Sequence, residues 1–173
     1  MECACRVYLR PFRSEDISGM RSWVNDPDTI RFLGGNYAMP ETWETTERRL
    51  SHILSGDAGG VQFVIAQEPS GKYLGQCDLL MIERTAQKAE VAMVLSPDAQ
   101  GKGYGREAME LLCEFAFKTM NLRRLYLYVA CANEKAIRCY QASGFKTEGC
   151  LKEHMYADGS YQDVLVMARM RES

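Results

Sequence analysis

The sequence predicts an α/β domain: a mixed, mostly antiparallel central sheet with flanking helices. Three observations predict it. Residues 61–95 read as three short strands joined by tight turns, an antiparallel meander. The last of these strands runs into a glycine-dense turn and then a helix with apolar positions at Ala108, Leu111, Leu112, Phe115 and Ala116. A further strand, a helix and a terminal hairpin complete the chain. Its 173 residues suit a single domain, 1–173, large enough to bury a real core.

Taken in order, residues 5–10 alternate as a first strand, and Pro11 ends it. Ser14, followed by Glu15 and Asp16, has the form of a helix cap with acids in the first turn; Ile17, Met20, Trp23 and Val24 form the apolar stripe. Residues 25–28 break this helix, residues 29–33 form a short helical turn, and Gly34, Gly35 and Asn36 a loop. Pro40 opens a second helix over 41–54, with Gly56 past its end. Strands follow at 61–67, 73–82 and 88–95. The helix after the glycine turn spans 101–119, and the next strand 124–130. Asn133 caps a helix over 134–143 that ends at Gly144. Phe145 starts another strand, and 151–156 pairs with 161–170 through an Asp158-Gly159 turn.

Composition narrows the function. Hydrophobic content is 46% and charged content 25%, as in globular proteins, and the formal net charge of −2 argues against a general nucleic-acid binder. No apolar stretch approaches a membrane span, and the first residues lack the form of a signal peptide. The seven cysteines show no metal-ligand rhythm. Cys3 and Cys5 are too close for half a zinc knuckle, and the two histidines, His52 and His154, have no visible partners. Free thiols in the cytoplasm, with no metal, is the expectation.

The glycine turn is the stretch with chemical content. Three glycines, Gly101, Gly103 and Gly105, leave first-turn amides open to a ligand, and the start of a helix suits a phosphate. A P-loop needs Gly-Lys followed by Ser or Thr, whereas Gly103 follows Lys102; a dinucleotide fingerprint needs Gly-x-Gly-x-x-Gly, which this spacing breaks. Gln100, Gly103 and Gly105 do form Gln-x-x-Gly-x-Gly. This resembles the acetyl-CoA pyrophosphate loop of the GNAT superfamily of N-acetyltransferases. A second stretch, Asn133 with Ala136-Ile137 and Tyr140, then Gly144-Phe145, is similar to that family's other signature. The Trp23–Pro27 segment and the Asp158-Gly159 hairpin look like the branch holding ribosomal-protein alanine and spermidine N-acetyltransferases.

The resemblance implies a sheet whose strand before the glycine loop splays from a parallel neighbour, so that the pantetheine arm of acetyl-CoA enters the gap. It places Met93, Val94 and Leu95 along that arm, with one of their amides able to polarise the thioester carbonyl. Gln100, Gly101, Lys102, Gly103, Tyr104 and Gly105 would hold the pyrophosphate, and Asn133 would bond to the arm, with room beside it at Ala136. Lys102, Arg106, Lys135 and Arg138 could meet phosphate charge or simply stand in water. Tyr140 would protonate the departing thiolate; from periodicity alone it reads as a core aromatic. Glu90 is the candidate base for the amine, or else an exposed glutamate paired with Lys88; Asp78 and Glu83 are weaker alternatives. Cys139 faces another direction from Tyr140, which argues against an acetyl-cysteine.

The expectation is direct transfer from acetyl-CoA to a primary amine: a protein N-terminus, a polyamine or an amino sugar. The rival is a non-catalytic acyl-CoA-binding sensor. Trp23, Phe32 and Trp43 read as core, and Glu41, Glu44 and Glu47 either attract a cationic acceptor or form the wet face of their helix. No nucleic acid or membrane partner is expected, and the oligomeric state is left open, a homodimer included.

Overall fold

The computed structural model describes residues 6–34, 37 and 39–172, so Cys3, Cys5, Gly35 and Asn36 lie outside the described residues. Seven strands form one sheet: β1 (Val7–Arg10), β2 (Val61–Gln67), β3 (Tyr73–Glu83), β4 (Lys88–Leu95), β5 (Arg124–Ala130), β6 (Lys146–Ala157) and β7 (Ser160–Met170), in the order β1-β2-β3-β4-β5-β7-β6. Every neighbouring pair is antiparallel except β4 with β5. The helices are α1 (Ile17–Arg21), α2 (Pro27–Ile30), α3 (Trp43–Ser55), α4 (Tyr104–Glu114) and α5 (Glu134–Ala142). The expected mixed α/β architecture is therefore present.

Side-chain alternation divides the sheet into two faces. Cys77, Leu79, Ala89, Val91, Leu125, Leu127 and Val129 join Ala108, Met109 and Leu112 of α4 in the main core. On the opposite face, Val64 and Ala66 pack with Phe12, with Met20 of α1 and with Leu50 of α3. That second cluster covers β1–β3. Further along the same face β4 and β5 carry Glu90, Ala92, Val94, Tyr126 and Tyr128.

Several boundaries differ from the sequence expectation. Ser14 is not a cap: residues Ser14–Asp16 form a 3-10 turn, and the Asp16 carboxylate is buried against the Arg10 guanidinium while also accepting from the Arg13 amide at 2.7 Å. The helix at 29–33 starts earlier, at Pro27, because Asp26 caps it by accepting from the Thr29 amide. Trp43 opens α3 behind the Thr42 cap and is half exposed rather than core. The helix expected from 101 begins at Tyr104 and widens into a π turn at Phe115–Thr119. The strands expected at 145 and 151 are one long β6, bulged between Leu151 and Met155.

The feature that positions the site is the short parallel pairing. β4 and β5 register only at Lys88–Arg124, Ala89–Leu125 and Glu90–Tyr126. β4 then continues to Leu95 paired with β3 alone, and β5 continues to Ala130 paired with β7 alone. A notch opens between them after Glu90. Gly75 sits opposite Leu95, where a Cβ would strike the Val94 carbonyl, so glycine lets β3 follow β4 to the mouth of the notch.

Candidate active site

At the end of β4 the chain turns through Ser96 and a 3-10 turn, Pro97–Ala99, into the glycine stretch. Gly101 and Gly103 have φ of 74° and 86°, in the left-handed region that glycine enters without strain. Nothing lies within 4 Å of a Cβ built on Gly101, so the turn is open there. Gly103 takes the N-cap position of α4, which is why the helix starts after it. Gly105 serves differently: a Cβ there would lie 3.4 Å from Met93 and Leu95 and 3.5 Å from the Cys139 sulfur. Here α4 packs against both β4 and α5. Open amides ahead of a helix N-terminus fit a diphosphate, and the unpaired edge of β4 fits an arm that pairs with strand backbone.

Two details of this turn escaped the sequence. The Gln100 side chain is engaged elsewhere: its Nε2 donates to Thr29 Oγ1 at 3.0 Å and to the Leu95 carbonyl at 3.1 Å. It ties the turn to α2, and only its backbone is left to face a phosphate. Arg6 lies against the turn, donating to the Lys102 carbonyl at 3.1 Å, pairing with Glu107 and sitting 5.0 Å over the Tyr104 ring. No local pattern links positions 6 and 107.

Beyond β5, Asn133 caps α5 by accepting from the Ala136 amide at 3.2 Å. Tyr140 is 8% exposed within the main core, its ring 6.0 Å from Phe145, and its hydroxyl makes no hydrogen bond among the described residues. Burial pushes its phenol well above the usual tyrosine range.

Glu90 stands where β4 and β5 part, opposite Tyr126 and Leu80. Burial raises its carboxyl. Lys88 pairs not with Glu90 but with Glu83, at 2.9 Å, which occupies Glu83 as well. Asp78 is one rung along on β3, opposite Ala92. Its Oδ2 accepts from Gln76 Nε2 at 3.3 Å, and its Oδ1 is buried without a partner. Burial pushes this carboxyl up to about 7, against smaller opposing effects of the Gln76 bond and the Arg49 charge.

The other candidates are accounted for by local partners. Glu41 pairs with Arg49 at 2.8 Å and accepts from Thr46, and Glu47 accepts from the Trp43 indole. Arg49 lies over the rings of Trp23 and Tyr37. Arg138 pairs with Glu134, whereas Lys102, Arg106 and Lys135 are exposed. His154 stacks on Tyr128 with ring centres 6.4 Å apart. Among the described residues no three His, Cys, Asp or Glu side chains gather as a metal site, and no helix is long and apolar enough to cross a membrane.

The family model for the acetyltransferase (GNAT) domain matches residues 6–146. The chain belongs to the GNAT acetyltransferase family. As a GNAT N-acetyltransferase it uses acetyl-CoA as co-substrate. Among its relatives, spermidine N(1)-acetyltransferase of Escherichia coli is 32% identical over 171 residues, covering 96% of this chain and 87% of that protein. A putative ribosomal N-acetyltransferase of Bacillus subtilis is 26% identical over 144 residues, covering 81% and 75%. The crystal structure of spermidine N-acetyltransferase from Vibrio cholerae in complex with CoA and spermine superposes with a TM-score of 0.86 at 27% identity, covering 95% of each chain. The GNAT enzyme is thus similar over nearly its whole length to polyamine acetyltransferases.

Proposed function

We propose that this enzyme moves the acetyl group of acetyl-CoA to a primary amine by direct attack in a ternary complex, and that its acceptor is a polyamine. The observation that carries the reading is the notch, which opens after Glu90 and lies beside an open glycine turn at the start of α4. Backbone of Gln100–Gly105, with Lys102 and Tyr104 in the same turn, holds the pyrophosphate. Met93, Val94 and Leu95 pair with the pantetheine arm, and Asn133 and Ala136 flank it. Tyr140 gives its proton to the departing sulfur, a role suited to a phenol that burial keeps protonated.

The acceptor approaches from the face carrying Glu90, Asp78, Tyr126 and Tyr128. Carboxylates beside aromatic rings suit an alkylammonium, and the similarity to spermidine N-acetyltransferases supports a polyamine over an amino sugar or a protein N-terminus. Glu90, half-buried at the mouth, meets the incoming ammonium. We place the enzyme in the cytoplasm, where acetyl-CoA and polyamines meet.

The test is a panel of acceptors (spermidine, a peptide with a free N-terminus and an aminoglycoside) with acetyl-CoA, the acetylated product read by mass spectrometry. Spermidine is expected to be acetylated most efficiently. Turnover of another amine alone would change the acceptor, and acetyl-CoA binding with no turnover of any amine would favour the sensor.

A further inference from the structure

We propose that Asp78 is a further catalytic residue, whose carboxylate takes the proton that the acceptor ammonium must lose before it attacks, held in place by Gln76, Tyr73 and Trp23. The inference rests on the acetyl-transfer reading above.

Position comes first. Asp78 faces Ala92 across the β3–β4 ladder, and Glu90 faces Leu80 one rung away. The two carboxylates are therefore diagonal neighbours on one face of the sheet, with Cα atoms about 7–8 Å apart by strand geometry. Ala92 is the second residue of β4 past its last pairing with β5, so it lines the notch. It contributes only a methyl group opposite Asp78. An ammonium held by Glu90 at the mouth is thus a diagonal neighbour of Asp78, a residue of intermediate burial.

The hydrogen bonds then give Asp78 a fixed polarity. The Trp23 indole can only donate, and it does so to the Tyr73 oxygen at 3.0 Å. The Tyr73 hydrogen goes to Gln76 Oε1 at 3.4 Å. The Gln76 amide is thereby oriented with its NH2 toward Asp78 Oδ2. Each link is committed in one direction, so the chain ends on Asp78 as an acceptor. The remaining oxygen, Oδ1, is sealed and has no donor among the described residues. Such a carboxylate gains most from receiving a proton. Glu90 has no hydrogen bond of this kind among the described residues.

The groups facing Asp78 do not cancel this. Arg49 from α3 favours the ionised form, while the Tyr37 and Tyr73 phenols and the Cys77 thiol carry no charge near neutrality. Burial dominates and leaves the carboxyl titrating at about 7, where a base can both accept and release a proton.

The step balances. The ammonium gives one proton to Asp78, and its nitrogen attacks the thioester carbonyl carbon. The C–N bond forms and the C–S bond breaks. The sulfur takes the Tyr140 proton, the second nitrogen proton returns to the Tyr140 oxygen, and Asp78 releases its proton to water. An amide, a free thiol and one proton result.

The experiment is the pH profile of kcat/KM for spermidine at saturating acetyl-CoA, with acetyl-CoA affinity of each variant measured separately by calorimetry. The parent should show an acidic limb near pH 7. D78N should lose that limb and fall about 10²-fold at pH 7, while binding acetyl-CoA as the parent does. E90Q should raise KM for spermidine yet keep the limb, and D78E should keep a limb with a moved midpoint. A limb retained in D78N, or lost in E90Q and not in D78N, overturns the proposal. If D78N does not fold, an unmoved midpoint in D78E overturns it equally. A parent that binds acetyl-CoA but acetylates no amine sinks the function itself, a result distinct from any of these.

Discussion

Tyr140 is packed as a core side chain of α5, and in the proposed reaction it protonates the coenzyme sulfur. Periodicity alone assigns it to the core, and the chemical role proposed for it comes only from the Asn133 to Phe145 signature. Tyr140→Phe keeps the ring and removes the proton. It should lower kcat about 10²-fold while leaving acetyl-CoA affinity within about twofold, as single-turnover kinetics and calorimetry would show; unchanged turnover removes Tyr140 from the chemistry. Burial raises the phenol, so it stays protonated throughout the working range and contributes no alkaline limb below pH 10. Asp78 has a stability consequence. Its folded carboxyl titrates at about 7, against 3.8 for the unperturbed group, so between these values the folded protein holds a proton that the unfolded chain has released. Stability from this group is therefore lost as pH rises from 4 to 7 and stays lost above. Asp78→Asn should be more stable than the parent at pH 8, on the order of 1–3 kcal/mol, with the difference vanishing near pH 4 in urea titrations. Asp16 was legible only as a first-turn acid. Side chains of Arg10 and Asp16 are 8% and 3% exposed, and removing one partner strands a buried charge, so Asp16→Ala should cost about 3–5 kcal/mol by the same titration.

At the scale of elements, β2, β4 and β5 fall on their expected boundaries, because each is short, apolar or alternating and bounded by turn residues. The start of α4 was not legible to the residue: the glycine turn is compatible with helix from 101, and the left-handed conformation of Gly103 moves the start to Tyr104. The continuity of β6 was hidden for another reason. Nine of its twelve residues are exposed and none is buried, so no alternation marks it. Gly103 is where the turn can be tested. An alanine there incurs left-handed strain of about 1–2 kcal/mol and meets the Arg6 guanidinium at 3.0 Å. Gly103→Ala should weaken acetyl-CoA binding about tenfold in calorimetry, with far-UV circular dichroism unchanged. An unaltered affinity would mean the turn does not grip the diphosphate.

For the whole molecule, the two signatures made the family readable, since both are local in sequence. The proposed acceptor side was not. Tyr73, Gln76 and Asp78 share β3, but Trp23 and Arg49 reach them from separate segments through packing alone, and Gln100 reaches Thr29 across 71 positions. Their arrangement is invisible to spacing. The sheet itself has a weak seam. Only three register pairs join the block β1–β4 to the block β5–β7. When the pantetheine arm lies against the free edge of β4 it acts as a temporary extra strand, so the reagent also splints the scaffold that uses it. Thermal unfolding should then shift upward with acetyl-CoA, by about 2.7 kcal/mol of stability at a hundredfold excess over Kd, and amide exchange should slow first along residues 91–95. Shedding CoA after each turnover would remove that splint until the next molecule of donor binds.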